Sequence, residues 1–269
     1  MSFGYRRRHR QGNGVLVIAI FIALAASKGC DGGRSGPSRS SRVSTPVRNP
    51  IEDVLKPTAG AQYKDGIAAA ILIDTSGSMR EKVKDVDGAR QPKIAIAQRA
   101  ALNLVDQFDT YAREHSDKPI LLGIYEFSQR GESGCCRTVV KLGPPDAAAA
   151  RSEIMKMRAN GDTPIGDAMI QAKHDVDGTG LSKRHILVIT DGENTRGYSP
   201  GDVTRVISRQ NDTDRASIYF VAFDVAAAKF DSVRDSGGLV LAASNEPDLK
   251  GALDYLLTGK IFAEQPTQR

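Results

Sequence analysis

Ile67-Ala68-Ala69-Ala70-Ile71-Leu72-Ile73-Asp74-Thr75-Ser76-Gly77-Ser78-Met79 is an unbroken apolar run that ends in a carboxylate and two hydroxyls at alternate positions. Seven consecutive apolar residues without polar alternation predict a strand buried on both faces, as in a parallel sheet covered by helices. Asp74, Ser76 and Ser78 then fall just past the strand end, at the mouth of the sheet. An isolated Asp-x-Ser-x-Ser also suits an ordinary turn, because Asp and Ser side chains bond nearby backbone and Gly bends freely.

Two further segments have a related form. Gly161-Asp162-Thr163-Pro164-Ile165-Gly166-Asp167-Ala168 places a threonine at a predicted helix start, where its hydroxyl serves either as a cap or as a ligand. Ile186-Leu187-Val188-Ile189-Thr190-Asp191-Gly192 carries another aspartate to the end of an apolar strand. Mg²⁺ takes oxygen ligands in a near-octahedral shell and retains several waters, so short hydroxyls and carboxylates suit it. No His or Cys lies in these segments, which disfavours zinc and copper.

Together the three segments resemble the metal-ion-dependent adhesion site of von Willebrand factor type A domains, whose pattern is Asp-x-Ser-x-Ser, a distant Thr and a distant Asp. The resemblance implies metal-site residues Asp74, Ser76, Ser78, Thr163 and Asp191. Mg²⁺ is the implied ion, with Mn²⁺ or Ca²⁺ as alternatives. It further implies a non-enzymatic protein-binding module whose metal takes a Glu or Asp from a partner, with Met79, Arg80, Glu193, Asn194 and Arg196 around the mouth. The implied fold is α/β: a doubly wound, mostly parallel six-stranded sheet of order 3-2-1-4-5-6, with one antiparallel edge strand and helices on both faces.

The rest of the chain is patterned accordingly. Ile94, Ala97, Ala101, Leu104, Phe108 and Tyr111 recur at steps of three and four, one buried helical stripe, with Lys93, Arg99 and Asp106 assigned to its solvated face. A strand at 120–127 is followed within about ten residues by Thr138-Val139-Val140, too short a connection for a crossover helix, so these two strands should pair antiparallel. Helices are expected near 146–158, 164–176, 201–210, 226–234 and 247–258, and strands at 185–190, 216–223 and 239–243.

With 269 residues, 40% of them hydrophobic, the chain supports one substantial core. Its formal charge of +5 is unevenly spread: residues 1–48 hold nine Lys or Arg and one acid, leaving −3 for the remainder. The basic balance therefore belongs to the leader, and no basic stripe with interleaved aromatics points to nucleic acid. Arg6 to Arg10 precede the apolar run Val15 to Ala26, which spans about 18 Å as a helix against about 30 Å of hydrocarbon. Residues 1–30 are read as a secretory signal or an N-terminal membrane anchor, and Gly29-Cys30 leaves acylation of Cys30 open. Residues 31–65, rich in Gly, Ser, Pro and Arg, are expected to be a flexible linker, 66–262 the domain and 263–269 a tail. An exported protein is the expectation, periplasmic, at the cell surface or secreted, with a membrane tether through the N-terminus if the leader is kept.

Adjacent Cys135 and Cys136 fall in a hairpin loop and admit a vicinal disulfide, one bridge with a leftover thiol among the three cysteines, or two half-buried thiols. Two other function classes stay open. One is a subunit of a larger envelope or AAA+ ATPase-associated assembly. The other is a phosphoryl-transfer hydrolase, disfavoured because Ser76 stands where haloacid-dehalogenase-like phosphatases carry a second acid, and because the chain has no phosphate-binding loop.

Overall fold

A computed structural model describes residues 49–57, 63–129 and 134–264. The leader, its apolar run, Cys30 and most of the expected linker and tail lie outside the described residues. Among those described, no helix is long and apolar enough to cross a membrane.

In chain order the elements are α1 (Pro50–Val54), β1 (Lys64–Asp74), β2 (Lys82–Lys84), β3 (Arg90–Pro92), α2 (Lys93–Glu114), β4 (Ile120–Phe127), β5 (Cys136–Gly143), α3 (Ala147–Ile154), α4 (Ile165–Gly178), β6 (Leu181–Thr190), α5 (Pro200–Ser208), β7 (Ser217–Phe223), α6 (Asp231–Asp235), β8 (Leu239–Ala243) and α7 (Glu246–Leu256). Six strands form one sheet of order β5-β4-β1-β6-β7-β8. Every neighbour pair is parallel except β4 with β5, so the expected order and the antiparallel edge strand are both found. Winding reverses between β1 and β6, which leaves a crevice at the carboxyl edge there.

β1 is buried from Gly66 to Asp74 because both of its faces are covered. Ile67, Ala69, Ile71 and Ile73 share a cluster with Ile96, Ala97, Leu104 and Phe108 of α2 and with Leu249, Leu253 and Leu256 of α7. Ala68, Ala70 and Leu72 face the opposite way, against Ala168, Met169, Ala172 and Val176 of α4. Small side chains on that face of β1 let α4 lie close to the sheet.

Three expectations need correction. Asn49 to Val54 is a capped helix within the stretch read as flexible linker: Asn49 Oδ1 accepts from Ile51 N at 3.1 Å, and Ile51 and Leu55 are buried in the α4-side cluster. Two buried aliphatics at helical spacing outweigh the loose composition around them. Lys93 is buried rather than solvated, for reasons given below. Glu264, assigned to the tail, lies 3.2 Å from the buried His185. The short β2–β3 hairpin adds to the expected elements, and its turn is held by Asp85 Oδ1 accepting from Asp87 N and Ala89 N at 3.0 and 2.8 Å.

Among the described glycines Gly166 meets the closest neighbour, since a Cβ there would lie 2.0 Å from the Tyr198 carbonyl oxygen. Gly166→Ala is expected to lower unfolding free energy by about 1–3 kcal/mol, the usual cost of forced overpacking. Urea unfolding checks this, and an unchanged midpoint would show that α4 shifts freely.

Candidate metal centre

Parallel register puts the two strand ends together. Ile73 of β1 lies opposite Ile189 of β6, so Asp74 and Thr190 emerge side by side and Asp191 follows. Asp74 is fully buried and both of its oxygens are engaged: Oδ1 accepts from Ser76 N at 2.7 Å and Oδ2 from Thr190 Oγ1 at 2.6 Å. The first bond closes an Asx turn that reverses the chain directly after the strand. Ser76 Oγ and Ser78 Oγ then lie 3.1 Å apart, and Ser78 Oγ donates to Asp191 Oδ1 at 2.7 Å.

Thr163 arrives from the loop before α4, and backbone bonds dock that loop onto the β1 turn. Asn160 N donates to Thr75 O at 2.6 Å, Gly77 N to Gly161 O at 3.0 Å, and Gln129 and Asp162 exchange both backbone bonds. Thr163 does not cap the helix. Asn194 Oδ1 takes that role, accepting from Ile165 N at 2.8 Å and Gly166 N at 3.4 Å, while Thr163 N donates to Thr195 Oγ1 at 2.8 Å. Between the two roles open for Thr163 in the sequence, the capping one therefore falls away. A Cβ built on Gly192 would lie 3.8 Å from both Ser78 Oγ and Thr163 Oγ1, so the two hydroxyls border one space that glycine leaves clear.

The five expected residues are thus gathered at one place, and their donor set is oxygen alone. Among the described residues no group of three His, Cys, Asp or Glu side chains is arranged to hold a metal ion, so this cluster depends on its hydroxyls. Neutral hydroxyls backed by two carboxylates fit a hard divalent cation that keeps part of its water shell.

Residues expected at the rim behave differently. Met79 is fully buried in the α2-side core. Asn194 is occupied as the α4 cap, Arg196 Nε donates to Asp162 Oδ2 at 2.6 Å, and Arg80 Nε reaches Gly77 O at 3.3 Å. Glu193 pairs with Lys229 at 2.8 Å. Most of the rim is therefore committed to holding the loops.

Sequence reasoning missed Thr190, which orients Asp74, and Lys93, the first residue of α2. Lys93 Nζ lies 3.0 Å from Asp191 Oδ2, 2.9 Å from Asp224 Oδ2 and 3.2 Å from Glu81 Oε2. Burial alone would lower its pKa, but hydrogen bonds to Asp224 and Asp191 outweigh it and hold the ammonium firmly protonated. The hairpin thiols are unbridged. Burial raises both, Cys136 to about 12, which keeps them as unreactive thiols at neutral pH.

The family-wide sequence model of the von Willebrand factor type A domain matches residues 70–246. The chain belongs to that family. Several solved structures share this fold at low identity. The pilus adhesin SpaC from Lactobacillus rhamnosus GG has TM-score 0.57 and 13% identity, over 75% of this chain and 31% of that one. A von Willebrand factor type A protein from Catenulispora acidiphila has TM-score 0.52 and 20% identity, over 70% and 41%. Proximal thread matrix protein 1 from the mussel byssus, with zinc in its adhesion-site motif, has TM-score 0.53 and 16% identity, over 73% and 48%. This type A chain spans less than half the length of each of these three. No curated protein matches the sequence.

Burial pushes Asp74 up from 3.8 to about 6, with hydrogen bonds from Thr190 and Ser76 pulling it down. A carboxyl whose folded pKa is raised stabilises the fold when protonated; that contribution is complete below about 3.8 and is lost as pH rises through about 6. In EDTA at pH 7.5, Asp74→Asn should therefore melt several degrees above wild type, and the gap should close near pH 4. A lower midpoint at both pH values would contradict this balance.

Proposed function

We propose that this type A domain is a divalent-metal-dependent protein-binding module of the adhesion or scaffold kind. Ser76, Ser78 and Thr163 would hold the ion through their hydroxyls, with Asp74 and Asp191 behind them supplying charge. The observation that carries this reading is the convergence of Ser78 and Thr163 hydroxyls on the space beside Gly192, with Ser76 and Asp191 hydrogen-bonded to Ser78. When bound, the metal supplies Lewis-acid coordination of an anionic group, here a Glu or Asp of the partner. The chain's own task is preorganisation: Thr190 and Ser76 N fix Asp74, and the docked 160–163 loop fixes Thr163.

Mg²⁺ fits this oxygen-only set best, with Mn²⁺ or Ca²⁺ next. Zinc occupies the motif in the mussel protein, but the absence of Cys and His donors in this set ranks it lower here. Asp74 argues against phosphoryl transfer, because both of its oxygens are engaged and it is fully buried, with no edge left for nucleophilic attack. Export rests on the basic and then apolar leader at 6–26, and the similar fold of a pilus adhesin accords with a role at a cell surface. If the leader stays in the membrane, the linker that follows it would tether the domain.

Thermal unfolding of the full chain in EDTA, Mg²⁺ and Mn²⁺ tests the metal reading. At about a hundred times Kd a bound ion adds about 2.7 kcal/mol, or a rise of about 5–10 °C for a domain of this size. Ser78→Ala, Thr163→Ala and Asp191→Ala should each abolish the rise while keeping a cooperative transition in EDTA. An equal rise in all variants would place the ion elsewhere.

A further inference from the structure

Lys93 occupies a position that ordinary helix chemistry disfavours. It is the first residue of α2, where the positive end of the helix dipole repels a cation, and it is 2% exposed. Burying an ammonium is costly unless its partners are well placed. Three separate segments provide them: Asp191 after β6, Asp224 after β7, and Glu81 after the short helical turn at Gly77–Arg80. Glu81 contributes twice, since its carbonyl accepts from Lys93 N at 2.8 Å.

Asp224 is the one non-glycine at positive φ among the described residues, with φ 55. That backbone costs energy for most side chains and tends to survive where function needs it. Here it aims a carboxylate at Lys93, while Asp224 N donates to Ala243 O at 2.6 Å. The Asp191 carboxylate is divided between two neighbours. Its Oδ1 faces Ser78 and the hydroxyl cluster, and its Oδ2 faces Lys93.

We propose that Lys93 is a specificity-determining residue of this centre: a fixed positive charge behind Asp191 that loosens the divalent cation and strengthens capture of a carboxylate. The inference rests on the metal-binding reading above. Its electrostatic basis is burial. Asp74, Asp191 and Lys93 are shielded from water, so their fields act at low effective dielectric. The side chains of Glu81 and Asp224 are 70% and 40% exposed, so solvent and salt screen much of their charge. Lys93 thus sets one buried positive charge against the Asp191 carboxylate, on the side away from the hydroxyl cluster. Without that ammonium the ion would be held more tightly but would be a poorer electrophile. With it, a bound ion would keep an excess of positive charge that favours an anionic ligand.

The test uses the full chain with two probes, Mn²⁺ alone and then acetate added to the Mn²⁺-loaded protein. Water-proton relaxation reads both, since acetate displaces water from the ion. Lys93→Met should tighten Mn²⁺ by at least about tenfold and weaken acetate by a similar factor. Its midpoint in EDTA should fall, because Asp191 loses its counter-ion, and Mn²⁺ should restore it. Asp224→Asn keeps a residue suited to positive φ and leaves Lys93 less neutralised, so it should shift both constants the opposite way and by less. It also keeps the inference testable if Lys93→Met fails to fold. If Lys93→Met, or Asp224→Asn in its place, moves both constants in the same direction or moves neither while wild type binds Mn²⁺, the inference is wrong and the metal reading stands. If wild type binds no Mn²⁺, both fall.

Discussion

The register of β1 against β6, with Ile73 opposite Ile189, is the constraint on which the site depends. A shift by one residue would turn Asp74 and Thr190 to opposite faces and bury Ala68, Ala70 and Leu72 against the wrong helices. The register is fixed by burial on both sides, since each face of β1 meets a different hydrophobic cluster. Core packing and site geometry are thus one specification: the alternation that seats α4 on one face and α2 on the other also delivers two carboxylates to the same crevice.

The second governing feature is how the buried charges are compensated. Burial raises the Asp74 pKa to about 6, and the groups that oppose this are hydrogen bonds from Thr190 and Ser76. Asp191 has an ion partner in Lys93 as well as a hydroxyl partner in Ser78. The two carboxylates that look alike in the sequence have different electrostatic surroundings. One is a fully buried carboxyl held by hydrogen bonds, and the other is tied to a lysine whose remaining acidic partners reach the solvent. A hard cation settling on the adjacent hydroxyls would relieve the first without displacing the second.

Much of the fold was legible because hydrophobic periodicity speaks for long, strongly buried elements. The unbroken run at Ile67, the stripe from Ala97 to Phe108 and the short link between β4 and β5 each correspond to a local physical requirement, and the sheet order followed from them and the family resemblance. The five oxygen-bearing residues were legible by their spacing at strand ends. What escaped depends on partners distant in sequence. Lys93 looked like a solvated residue because nothing near it announces three acids at 81, 191 and 224. Met79 looked like rim and is core, since the helical turn after Ser76 swings it inward. Asn194 gave no hint that it would cap α4 and relieve Thr163 of that role. Helix α1 was hidden by the Gly- and Ser-rich composition before it, although Ile51 and Leu55 anchor it in the core.

Ser76, Ser78 and Thr163 are proposed to face a common cation position backed by Asp74 and Asp191. Anomalous scattering from crystals of the protein grown with Mn²⁺ addresses it most directly. One strong peak is expected in the space bordered by those three hydroxyls and Gly192. A peak anywhere else, or none at saturating Mn²⁺, would contradict it.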